Sequence, residues 1–88
     1  REIPENVPEP QITIPENPVW LPRLLKEAGL VKSTSEGRRQ IKGGGVRING
    51  EKITDDTVKI DALKEEFILQ VGKRRFAKIK PENVRVEQ

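Results

Sequence analysis

Ser33-Thr34-Ser35-Glu36-Gly37-Arg38-Arg39-Gln40-Ile41-Lys42-Gly43-Gly44-Gly45-Val46-Arg47-Ile48-Asn49-Gly50 is the stretch that decides the fold. It opens on a capping box, with Ser33 as N-cap and Glu36 three residues on, reaching back. Helix is predicted from Thr34 to about Lys42, and Gly43-Gly44-Gly45 stops it. Val46-Arg47-Ile48 then alternates like a strand, and Asn49-Gly50 is the strongest short hairpin signal. Inside the helix Gly37 costs about 1 kcal/mol against Ala, which points to another backbone passing close by.

Working outward, a first helix precedes this unit. Pro22 suits its first turn, Leu21, Leu24, Leu25 and Ala28 form its apolar stripe, and Gly29 ends it. Leu30 and Val31 continue the core. Downstream, Glu51-Lys52-Ile53 returns the first hairpin, and Thr54–Leu63 reads as a polar loop with Val58, Ile60 and Leu63 turned inward. Phe67–Val71 and Arg74–Ile79 form a second hairpin around a Gly72-Lys73 turn, with Arg74 and Arg75 pointing to opposite faces. Residues 1–19 carry five of the seven prolines and read as an extended tether, in which Gln11–Ile14 is a candidate edge strand. The expected organisation is a Pro/Glu-rich linker at 1–19, a folded domain at 20–80 beginning near Val19 or Trp20, and a tail or short edge strand at 81–88. The fold class is α+β, two short helices packed on a small antiparallel sheet.

Composition narrows the function. The 88 residues contain no Cys and no His, so there is no disulfide, no thiolate nucleophile, no ordinary zinc site and no imidazole base. No catalytic residue and no metal ligand is expected. The adjacent carboxylates Asp55-Asp56 and Glu65-Glu66 fall in turn-like segments and read as loop chemistry. No apolar run approaches the length of a membrane span, and a cytoplasmic setting is expected. The chain does not begin with Met, so it is expected to be a piece of a longer polypeptide.

Charge is segregated along the chain. The net charge is −3 over residues 1–19, +5 over 20–52, −3 over 53–66 and +5 over 67–80. Two basic blocks around an acidic spacer predict a positive face assembled by folding, the footprint of a polyanion site. Its centre is Arg38, Arg39 and Lys42 on the second helix, with Glu36 the one nearby acid. Lys32, Ser33 and Thr34 stand at the helix start, where free N–H groups suit phosphate. Arg47, Asn49 and Lys52 follow on the first hairpin, and Lys73, Arg74 and Arg75 on the second. The same pattern also fits a solvated helix face, with cations favoured by the C-terminal dipole, and charge guarding a sheet edge. Gly43–Gly45 fits neither the Walker nor the dinucleotide glycine pattern and reads as a helix stop. Trp20, Phe67 and Phe76 are the only aromatic residues, and both phenylalanines sit in core-like patterns. So few rings favour structured RNA or DNA met through shape and phosphate.

Residues 30–53, from Leu30-Val31-Lys32-Ser33 through the glycines to Val46-Arg47-Ile48-Asn49-Gly50, resemble the RNA-binding domain family named for ribosomal small-subunit protein S-four. The family pattern is a Ser-x-Ser-Glu-Ala-Arg-Arg helix, a Gly-Gly turn and Val-x-Val-Asn-Gly; Gly37 departs from it, standing where the family has Ala. The resemblance implies a helix–helix–sheet fold that binds structured RNA. Trp20–Val31, Phe67–Phe76 and the Pro/Glu-rich tether are further similar to the carboxy-terminal domain of bacterial tyrosyl-tRNA synthetases. That implies a non-catalytic module gripping tRNA(Tyr) and its long variable arm, a monomer in isolation within a homodimeric parent, with ATP and Mg needed only in a separate catalytic domain. The twelve residues named above are the positions to which RNA contact is carried. Other hosts of the family imply the alternative of an rRNA-binding module in a ribosomal protein, a ribosome-associated protein or a pseudouridine synthase. A protein-interaction module with an acidic partner is the third reading.

Overall fold

In the computed structural model, which describes residues 6–87, helix α1 (Leu21–Glu27) and helix α2 (Thr34–Lys42) form a hairpin. Both helices stop in the same way. Gly29 and Gly44 take positive φ, +80° and +81°. The next residue then donates back to the third residue from the helix end: Leu30 N–H to the Leu25 carbonyl at 3.0 Å, Gly45 N–H to the Gln40 carbonyl at 2.8 Å. α1 buries Leu21, Pro22, Leu24 and Leu25, and α2 buries Gly37 and Ile41. Packing between the helices explains Gly37. A Cβ there would stand 3.2 Å from Pro22 Cα and 3.3 Å from its carbonyl oxygen, so the two backbones touch where a side chain would hold them apart.

The helices cover one face of a four-stranded antiparallel sheet of order β4-β3-β6-β7, made of β3 (Val46–Ile48), β4 (Glu51–Lys52), β6 (Phe67–Val71) and β7 (Arg75–Ile79). Alternation sends Val46, Phe67, Leu69, Val71, Ala77 and Ile79 into the core with the helix leucines. On the opposite face Lys52, Arg47, Gln70 and Phe76 stand in one row across the four strands. Phe76 is buried but lies outside the main core cluster. Asn49 (φ 52°) and Gly50 (φ 85°) give the β3–β4 turn the double positive φ that matches strand twist.

Four expectations need correction. The packed unit begins before Val19. Strand β1 (Ile12–Ile14) pairs in parallel with β8 (Val84–Val86), and Ile12 and Ile14 are core residues, because alternate apolar side chains turn inward while Thr13 stays out. Pro8 also accepts from Lys78 N–H at 2.8 Å, so residues of the expected tether run along the edge of β7. Its first five residues lie outside the described ones. The loop after β4 contains strand β5 (Lys59–Ile60), paired with β2 (Val19–Trp20). In that loop Leu63 is 43% exposed, and Ala62 is the residue that fills the core. The β6–β7 turn is one residue longer than expected: Val71 pairs with Arg75, which leaves Gly72, Lys73 and Arg74 in the turn.

Asn17 clamps the N-terminal segment to this loop. Its carbonyl accepts from Ala62 N–H at 2.8 Å, and its amide donates to Asp61 at 2.9 Å. That bond, with the Leu63 N–H, holds the Asp61 carboxyl below its ordinary value of 3.8, and the Thr57 hydroxyl and N–H do the same for Asp55. A depressed folded-state pKa contributes stability that is whole above the unfolded value and lost as pH falls through the folded one. Urea midpoints are therefore expected to hold down to about pH 5 and to fall below about pH 4. Asp61→Asn should flatten that fall, and parallel curves for the two proteins would contradict the assignment.

Candidate nucleic-acid interface

The glycine turn after α2 is where the basic segments meet. Lys42 ends the helix, in its last turn with Arg39. Lys52 reaches across from β4, its ammonium 3.6 Å from where a Gly44 Cβ would be. Gly72 N–H donates to the Gly45 carbonyl at 2.8 Å, which pins the β6–β7 turn, with Lys73 and Arg74, beside the same glycines. Arg39, Lys42, Lys52, Lys73 and Arg74 are all exposed, and none has a carboxylate partner among the described residues. The C-terminal end of α2 adds the negative pole that favours cations there. The result is a group of exposed cations gathered near a glycine turn, with Lys52 lying over Gly44.

The other predicted residues divide between this surface and the scaffold that holds it. Arg38, expected in the open cluster, donates instead from Nε to Asp56 at 3.0 Å, and Asp56 is itself fixed by its carbonyl, which accepts from Trp20 Nε1 at 2.7 Å. The acidic spacer thus neutralises one cation of the helix. Arg38 keeps half of its side chain exposed. Arg47 donates to the Gly50 carbonyl at 3.1 Å and braces the β3–β4 turn, while pairing in register with Lys52 on the outer face. Asn49 accepts from Ile68 N–H at 2.9 Å through its side chain and donates its own N–H to the Ile68 carbonyl, so it ties that turn to β6.

The start of α2, about 13 Å from its end for nine residues, is capped by the protein's own side chains at one of its first-turn N–H groups. Ser33 Oγ accepts from Glu36 N–H at 3.1 Å. The Glu36 carboxylate reaches back to Lys32 N–H at 2.8 Å, one residue before the expected N-cap N–H. The Glu36 carboxylate brings negative charge to this end of the helix, beside the N–H groups that the sequence offers to an anion. The alternation that would point Arg74 and Arg75 to opposite faces of one strand does not apply, because Arg74 belongs to the turn. Arg75 donates to the Leu30 carbonyl at 2.8 Å with Glu36 3.9 Å away. It therefore ties the second hairpin to the helix–helix connection. Lys32 is exposed and Thr34 half-buried at this end.

One residue of the surface escaped the sequence reading. Gln40 lines a shallow groove of about 320 Å³ with Val71, Gly72, Lys73, Arg74 and Arg75. Its place on the flank of α2 away from Arg38 is the available signal, and only the packing of the hairpin gives it meaning. Among the described residues no group of three or more His, Cys, Asp or Glu side chains comes together to hold a metal ion, and no helix is long and apolar enough to cross a membrane.

The S4 domain family model matches residues 19–61, from β2 through both helices and the first hairpin to the end of β5. A tyrosine–tRNA ligase of Geobacter metallireducens is 54% identical over 78 residues, which is 89% of this chain and 19% of that protein. One of Desulfotalea psychrophila is 52% identical over 77 residues, 88% of this chain and 18% of that protein. One of Moorella thermoacetica is 47% identical over 78 residues, 89% of this chain and 18% of that protein. The chain thus spans about a fifth of the length of the curated relatives it matches. Residues 19–61, which hold the helical hairpin, the glycine turn and the Asn-Gly strand pair, are an S4 domain, and the chain is similar over most of its length to a segment of tyrosine–tRNA ligases.

Proposed function

We propose that this chain is the non-catalytic tRNA-gripping module of a tyrosine–tRNA ligase and holds tRNA(Tyr) by its structured, phosphate-lined surfaces, the long variable arm included. The observation that supports the reading is the gathering of Arg39, Lys42, Lys52, Lys73 and Arg74, all without carboxylate partners among the described residues, near the Gly43–Gly45 turn. Each cation that meets a phosphate releases condensed counterions, so binding is electrostatic and sequence-tolerant. Identity then comes from shape, because a long arm presents phosphates where a short one has none. Arg47 and Asn49 shape the hairpin that carries Lys52; Arg75, Ser33 and Glu36 fix the helix against the second hairpin. Lys32 and Arg38 extend the surface at its margins. In this reading the module works in the cytoplasm, is monomeric by itself, and leaves tyrosine activation with ATP and magnesium to another part of a dimeric ligase.

The test is direct titration of this domain with tRNA(Tyr), a tRNA lacking a long variable arm, and a plain RNA duplex at matched salt. A preference of about tenfold for tRNA(Tyr), or 1.4 kcal/mol, is expected. Equal affinity for all three would reject the tRNA(Tyr) reading and leave a generic RNA-binding domain. No binding at low salt would reject RNA as the partner of this face.

A further inference from the structure

The groove between α2 and the β6–β7 turn has a chemistry that phosphate binding does not use. Its walls are Lys73, Arg74 and Arg75 on one side and Gln40 on the other, with Val71 beneath. Val71 is 3% exposed and apolar. The lining contains no carboxylate. The Gln40 amide makes no hydrogen bond within the described residues, and its position has a specific cause. Its Oε1 stands 2.8 Å from where a Cβ of Gly45 would be, so it occupies space that only glycine leaves open. The groove is shallow and open to solvent, so it can admit a group larger than a phosphate from the side.

We infer that this groove receives one unpaired nucleotide of a structured RNA, with its base edge hydrogen-bonded to the Gln40 amide and its phosphate held by Lys73 and Arg74. The inference rests on the RNA-binding reading above and deepens it. A carboxamide presents a donor and an acceptor together, which matches the paired donor and acceptor on a base edge and has no counterpart on a phosphate. The charge of the rim suits the flanking backbone. Aromatic rings are absent from the groove, so the base is held by its edge over an apolar floor, with the guanidinium groups of Arg74 and Arg75 as the planar groups beside it. The scarcity of rings in the sequence argues against a stacking platform for single strands, and it leaves room for a single nucleotide held in this way.

The experiment uses the 88-residue chain and a pair of RNA hairpins that differ by one bulged nucleotide, with a third hairpin carrying an abasic bulge. Titrations at about 0.15 M salt are expected to show about tenfold tighter binding to the bulged hairpin than to the paired one, with the abasic bulge falling back to the paired value. Gln40→Ala removes the amide, and Gln40→Leu keeps its bulk without a donor or an acceptor. Both variants should keep their affinity for the paired hairpin within about twofold and lose the bulge preference. Equal affinity of the wild type for paired and bulged hairpins, or an abasic bulge that binds as well as the intact one, would overturn the nucleotide site while leaving the basic surface standing. Failure to bind any hairpin would overturn both together.

Discussion

Arg39→Ala/Lys42→Ala is expected to weaken RNA binding by on the order of 30-fold at about 0.15 M salt while leaving the fold intact. The magnitude follows from counterion release: removing one phosphate-bound cation lowers the slope of log affinity against log salt by about 0.9, so removing two lowers it by about 1.8. Both side chains are exposed and unpaired among the described residues, so only their favourable place at the helix C-terminus is lost, about 1 kcal/mol or less of stability. Arg38→Ala should cost less affinity than Arg39→Ala, since the Arg38 guanidinium is shared with Asp56 at 3.0 Å. The measurement is a salt series for wild type and variants with thermal melting in parallel. An unchanged affinity at matched salt for the double variant would contradict the site.

The largest effect on stability is expected at Gly37. Gly37→Val places a Cβ 3.2 Å from Pro22 Cα, on backbone that cannot rotate away, and adds two further methyl groups beyond it. Overpacking of this kind costs about 1–3 kcal/mol, and the gain in helix propensity over Gly recovers only a few tenths. For a domain of this size, with an expected total stability of only about 5–15 kcal/mol, the melting temperature should fall by about 10–20 °C. Gly37→Ala tests the same packing gently. Its gain of about 1 kcal/mol in helix propensity works against a clash that a shift of a few tenths of an ångström relieves, so the variant should melt within about 5 °C of wild type. Calorimetry of the two variants settles the point, and a Val variant as stable as wild type would show that the α1–α2 packing is looser than these distances imply.

What the sequence displays most clearly is chemistry between near neighbours. The Ser33 cap, the Gly44 stop and the Asn49-Gly50 turn each depend on groups within a few residues of one another, and all three stand where the residue types point. Gly37 belongs with them, because an unfavourable residue in a helix has few explanations besides close approach. The departures come from partners distant along the chain. Asp56 reaches Arg38 across 18 residues, and the Leu30 carbonyl reaches Arg75 across 45. The parallel pairing of Ile12 with Val84 joins the two ends of the domain. Alternation of Ile12 and Ile14 signals a buried strand, yet nothing local names its partner, and five prolines nearby read as a tether. The candidate surface is legible in the sequence as a set of cations. Which of them stay open and which brace the scaffold depends on these long-range pairs, and so does the groove at Gln40.

The measurement that tests the central claim most directly is an amide-by-amide NMR titration of the domain with a structured RNA. Shifts are expected to concentrate at Arg39, Lys42 to Gly45, Lys52 and Gly72 to Arg74, and to spare β1, β8 and the Asn17–Asp61 clamp. Shifts centred on the β1–β8 pair or on that clamp, with the glycine turn silent, would contradict the claim that the exposed cations around Gly43–Gly45 form the RNA-binding surface.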